Sequence, residues 1–66
     1  MRLKEMRTRA GVTQQELADR IGVKQSAVAH WEAGRFDPRM KRIAQIADVL
    51  GCKVTELLAE DEEDKS

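Results

Sequence analysis

The sequence has no tyrosine and only one residue each of cysteine, histidine, proline, tryptophan and phenylalanine. Each scarcity excludes something. A lone Cys52 closes no disulfide within the chain, and beside a lone His30 it offers no metal-ligand spacing, so no metal or cofactor is expected. One histidine and one cysteine leave no nucleophile–base constellation, and nothing in the chain supports catalysis. No apolar run exceeds a few residues, which excludes a membrane span and a signal peptide and makes the cytoplasm the expected location. Strand alternation, internal repeats and a glycine-rich phosphate loop are all missing. A chain of 66 residues has no room for a second core and scarcely any for a concave substrate or small-molecule pocket.

Net charge is also lacking: 12 basic residues balance 12 acidic ones. The balance hides a division. Residues 1–42 hold ten Lys/Arg against five acids, a net +5, whereas residues 43–66 hold two lysines against seven acids, a net −5. A basic front and an acidic back suit a polyanion met by one face.

What is present is helical periodicity, punctuated by glycines at 11, 22, 34 and 51. The pattern predicts five short helices and an all-α fold. The first spans about residues 2–10, with Leu3, Met6 and Ala10 inward. Thr13-Gln14-Gln15-Glu16 reads as a capping box opening the second, whose inward face is Leu17, Ala18 and Ile21. Gly22 turns the chain after barely two turns. The third covers about 24–33, with Ala27, Val28 and Trp31 inward and Val23 leading in. Asp37 is a good N-cap and Pro38 a good first helical residue, so the fourth is placed at about 38–50. Its apolar set is Met40, Ile43, Ala44, Ala47 and Leu50, with Ile46 and Val49 alongside. The fifth, about 54–59, carries Val54, Leu57 and Leu58. Residues 1–59 are expected to form one domain, followed by an acidic, solvated tail at 60–66 without an apolar residue.

The informative stretch runs from Thr13 to Gly34: two short helices joined by a tight turn at Gly22, with small Ala18 allowing close packing. That is the helix-turn-helix arrangement, whose second helix enters the DNA major groove. Thr13-Gln14-Gln15-Glu16-Leu17-Ala18, Ile21-Gly22-Val23, Gln25-Ser26-Ala27-Val28 and Trp31-Glu32-Ala33-Gly34 closely resemble the phage repressor and Cro helix-turn-helix family, called the XRE family in bacteria. The resemblance continues through Pro38, Ile43, Ile46-Ala47, Leu50-Gly51 and Leu57-Leu58, over roughly residues 2–59. It implies a lambda-repressor-like DNA-binding domain of bacterial or phage origin, with the helix-turn-helix in its second and third helices. It also implies double-stranded DNA as partner and a homodimer on a two-fold symmetric operator, most simply as a repressor.

Roles follow position by position. Gln25, Ser26 and His30 match the positions from which this family reads base edges. The chemistry agrees, since Gln pairs bidentately with adenine and Ser donates or accepts. Gln14 matches a phosphate clamp, and Arg35 lies just past the recognition helix. Arg39, Lys41 and Arg42 place cations at a helix N-terminus, where the dipole disfavours them unless an anion answers. Arg39 is assigned to phosphate, while Lys41 and Arg42 fit a solvated face equally well. Arg7 and Glu32 match a partly buried ion pair that orients the arginine toward the backbone.

Lys24 departs from the family pattern, which commonly has Ser or Thr before Gln25. A lysine accepts no hydrogen bond and leaves the third helix without a side-chain cap, but it can reach a phosphate instead. Trp31 is expected in the core, Cys52 as a buried thiol, and Phe36 either closing the core or exposed at a dimer contact. Two readings rival the repressor. One is an interaction module such as an antitoxin, disfavoured by a tail of only seven residues; the other is a restriction–modification controller.

Overall fold

Thr13 begins the second helix by the predicted device. Its hydroxyl accepts from the Glu16 N–H at 3.0 Å, and the Glu16 carboxylate accepts from the Thr13 N–H at 2.9 Å. Both hydrogen bonds hold the Glu16 carboxyl below the ordinary carboxylate range. The computed structural model describes residues 1–59, so the predicted acidic tail at 60–66 lies outside the described residues. Five helices follow in order: α1 (Leu3–Arg9), α2 (Gln14–Ile21), α3 (Gln25–Glu32), α4 (Met40–Leu50) and α5 (Val54–Leu58). Among the described residues there is no strand, as expected of an all-α chain.

The core is built where the helices cross. Leu3, Leu17, Val28, Ile46 and Leu57, one from each helix, are fully buried. Burying such a side chain stabilises the fold by about 1.5–3 kcal/mol, so these five hold five short helices that would not persist alone. α2 packs on both α3 and α4, and α5 packs on α4 and α1. The Arg2 N–H donates to the Leu57 carbonyl at 2.8 Å, which ties the start of the chain to its last helix.

Gly22 makes the turn between α2 and α3. It adopts φ +78°, ψ +35°, and its N–H and that of Val23 both return to the Ala18 carbonyl, at 2.9 and 3.0 Å. No atom lies within 4 Å of where a Cβ would stand, so the demand for glycine is conformational rather than steric. Arg42, one of the residues left open between a solvated face and phosphate, fastens the same corner. From α4 its guanidinium donates to the Ile21 carbonyl at 2.8 Å and to the Gln45 side chain at 2.9 Å.

The structure corrects several expectations. α4 begins at Met40 with Arg39 as N-cap, not at Pro38 after Asp37. Pro38 is buried and lies outside the helix, and Arg39 stays extended at φ −71°, ψ 159°. Pro38 occupies a buried seat and Arg39 after it is still extended, so the chain turns into the helix only at Met40. Met40 and Ala44 are exposed. Four residues apart, they share one flank, while Ile43, Ile46, Ala47 and Leu50 fill the core. Ala10 and Leu58, at helix ends, are exposed as well, and Cys52 is only half-buried, its thiol pushed up first by burial and then by the Glu56 charge. Trp31 is buried as expected; Phe36 is exposed rather than closing the core.

Two substitutions test this corner. Gly22→Ala should lower stability by about 1 kcal/mol and the melting midpoint by roughly 4–8 °C. Arg42→Ala should cost about 1–2 kcal/mol by stripping the Ile21 carbonyl of its donor. Thermal unfolding by circular dichroism reads both; midpoints equal to wild type would show that the turn needs neither.

Candidate nucleic-acid interface

α3 starts at Gln25, with Lys24 as an extended N-cap that supplies no side-chain hydrogen bond. The helix is thus one residue shorter at each end than expected, and its first N–H groups have no side-chain cap. Val28 and Trp31 point into the core, which turns Gln25, Ser26 and His30 outward. Ser26 and His30 stand one helical turn apart on the same exposed side.

The interior edge of this surface is polar and continuous. At the last residue of α3, the Glu32 carboxylate accepts from Arg7 Nε at 2.6 Å and Nη2 at 3.3 Å. The Arg7 Nη1 donates to the Val12 carbonyl at 2.7 Å, so α1 is pinned to the segment that leads into α2. Both side chains are largely withdrawn from water, 12% exposed for Arg7 and 6% for Glu32. Glu32 also accepts from Gln14 Nε2 at 2.9 Å, and the Gln14 oxygen accepts from Gln25 Nε2 at 2.7 Å. A chain of hydrogen bonds therefore runs from α1 through α3 to the first residue of α2 and back to the first residue of α3.

This arrangement determines which groups stay available. A glutamine amide has two N–H donors and one oxygen with two lone pairs. Gln14 donates one N–H to Glu32 and has one left. Gln25 donates one N–H to Gln14 and keeps the other, with its oxygen uncommitted. An oriented N–H beside a carbonyl oxygen is the pair that a bidentate contact with adenine requires.

Electrostatics support the same geometry. Burial alone would raise the Glu32 carboxyl, but the hydrogen bonds from Arg7 and Gln14 and the Arg7 charge outweigh it and hold the group below the ordinary carboxylate range. Around this fixed centre, Lys24, Arg35 and Arg39 are exposed, and no described residue pairs with their side chains. Further out on α1, Glu5 lies between Arg2 and Arg9 in surface ion pairs of 2.5 and 3.0 Å.

The sequence-predicted residues thus fall into two groups. Arg7, Glu32, Gln14 and Gln25 come together in one network. Ser26, His30, Lys24, Arg35 and Arg39 remain solvent-facing, with the His30 ring edge-on to Phe36 at 5.5 Å between ring centroids. Sequence reasoning missed the links from Gln14 to Glu32 and to Gln25, which span 18 and 11 residues. No local spacing rule reaches across those distances.

Glu32→Gln should reduce stability at pH 7 by about 2 kcal/mol, since it removes a buried charge with charged and neutral donors already in place. Because folding depresses the Glu32 pKa, its stabilisation is complete above the ordinary carboxylate pKa and is lost as pH falls through the lower folded value. Urea unfolding of both proteins at pH 7 and pH 3 should show the gap narrowing on acidification. A gap that held constant would mean that the carboxylate charge contributes nothing.

Comparison with known proteins places this geometry. The helix-turn-helix family model matches residues 3–57. The chain is 36% identical over 63 residues to an uncharacterized HTH-type transcriptional regulator of Archaeoglobus fulgidus, covering 96% of this chain and 89% of that one. It is 33% identical to the SPbeta prophage-derived uncharacterized HTH-type transcriptional regulator YonR of Bacillus subtilis, over 86% of this chain and 53% of the relative. It is 31% identical to the HTH-type transcriptional activator BcrR of Enterococcus faecalis, over 92% of this chain but 30% of the activator. No solved structure matches at a significant level. Among the described residues no helix is long and apolar enough to cross a membrane. A five-helix fold, the α2–Gly22–α3 unit and a family match over nearly its whole length agree: the chain belongs to the XRE-type helix-turn-helix family of DNA-binding transcriptional regulators.

Proposed function

We propose that the protein is a sequence-specific repressor that binds a two-fold symmetric operator as a homodimer, with α3 in the major groove. The observation that carries this reading is the Gln25–Gln14–Glu32–Arg7 chain, which holds the first residue of α3 in a fixed attitude with base-pairing groups unspent. Gln25, Ser26 and His30 read base edges. Gln14 offers its remaining N–H to a phosphate beside the N-terminus of α2. Lys24, Arg35 and Arg39 add phosphate contacts, and the unfilled part of the Arg7 guanidinium adds another.

One recognition helix of eight residues spans only a few base pairs. A symmetric pair doubles the contacts and sets half-sites about 34 Å apart, one turn of DNA. Exposed apolar side chains at Met40 (60%) and Leu58 (39%) are available for such a partner contact. A dimer seated over a promoter blocks polymerase without a further domain, so binding and not catalysis is the activity. The site of action is where the DNA is, the cytoplasm of a prokaryotic cell.

Selection from a random duplex pool at two salt concentrations tests the reading. A palindromic site should be enriched. Gln25→Ala should lose about 1–3 kcal/mol of discrimination at one base pair per half-site. Arg35→Ala should weaken all sequences alike and flatten the salt dependence by about one phosphate's share per subunit. Retention that is salt-sensitive but enriches no sequence would refute base reading and leave phosphate attraction alone.

A further inference from the structure

Phe36 is the largest side chain without a place in the core. It is 53% exposed, in the loop after α3. Among the described residues its aromatic partner is His30, at 5.5 Å between centroids and 69° between planes, an edge-to-face arrangement. The loop is folded to make that contact. Gly34 takes φ +78°, its N–H returns to the Trp31 carbonyl at 3.2 Å, and the Arg35 N–H returns to the His30 carbonyl at 3.1 Å. These bonds turn the chain back over the end of α3 and bring residue 36 against residue 30.

The two ends of the recognition surface are therefore held by different means. Gln25 is oriented by the hydrogen-bonded chain that leads to Glu32. His30 has no hydrogen bond from its ring to any described residue, and an exposed imidazole without a neighbour samples several rotamers. We propose that Phe36 is a positioning residue: its ring fixes the His30 imidazole in the attitude from which it contacts DNA, and so sets specificity at the base pair under His30. The assignment rests on the base-reading role proposed above. A rotamer fixed before binding need not be fixed on binding, so the benefit appears as tighter and more selective recognition.

Two other uses of the same ring, a direct apolar contact with a thymine methyl and the dimer contact expected from the sequence, would not depend on His30. Phe36→Leu keeps apolar bulk and removes the ring; Phe36→Tyr keeps the ring. The His30 imidazole resonances of the free protein, read by NMR, should shift in Phe36→Leu and stay near wild type in Phe36→Tyr. Binding to the selected operator should weaken roughly 2- to 10-fold in Phe36→Leu, with preference flattened only at the base pair under His30, and recover in Phe36→Tyr. In a His30→Ala background, Phe36→Leu should have no further effect. Unmoved imidazole signals in Phe36→Leu, or a loss of binding that persists in the His30→Ala background, would overturn the proposal. If wild type enriches no sequence, the base-reading role fails and the specificity claim with it, while the NMR comparison still reports separately whether the ring contact exists.

Discussion

The Glu32 carboxylate is the point on which the rest of the surface depends. A carboxylate 6% exposed cannot stay ionised without compensation, and it receives it from two other elements at once. Arg7 reaches it from α1, Gln14 from the start of α2, and Glu32 itself ends α3. Such a buried pair adds little net stability over an apolar filling of the same volume. Its effect is directional. An apolar cluster at the same place would let three short helices slide against one another, whereas hydrogen bonds of 2.6–2.9 Å fix their relative register. Gln25, hydrogen-bonded to Gln14, inherits that register.

The second constraint is the corner between α2 and α3. Ala18 is fully buried in α2, and its carbonyl takes the N–H groups of both Gly22 and Val23. A larger side chain at 18 would push the helices apart, and a Cβ at 22 would strain the turn. Arg42 then satisfies the Ile21 carbonyl from the far side. The angle of α3 is set by this corner, and its seating by Glu32. On the outward face the Glu32 network reaches Gln25 through Gln14, while the side chains of Ser26, Lys24, Arg35 and Arg39 take no part in either device.

Charge distribution completes the division of labour. Ten of the 12 basic residues lie in the first 42 positions and the acids dominate afterwards, so attraction to a polyanion is concentrated on the part of the chain that carries the helix-turn-helix. Phosphate attraction brings the domain to DNA and cannot by itself choose a sequence. Choice requires side chains held still before binding; in the free chain Gln25 is held by a hydrogen bond to Gln14 and His30 lies edge-on to Phe36.

Much of this was legible without coordinates. Periodicity located all five helices, Thr13 with Glu16 announced the capping box, and Gly22 marked the turn, because these are local effects of backbone sterics and nearby hydrogen bonds. The Arg7–Glu32 pair was legible only through resemblance, since 25 residues separate the partners. The misread positions share a cause. Asp37-Pro38 reads as a helix start, yet the proline ring has a buried seat and α4 begins at Met40; Met40, Ala44 and Leu58 are apolar at the right spacing but lie on flanks left exposed among the described residues. The sequence by itself determined where helices form, which face of each is apolar and which end of the chain is basic, because propensity, periodicity and charge need only neighbours a few residues away. Only the tertiary structure decided that Gln14 joins Gln25 to Glu32, that Arg42 secures α2 and that Phe36 lies against His30, because those contacts depend on how five helices close around one core.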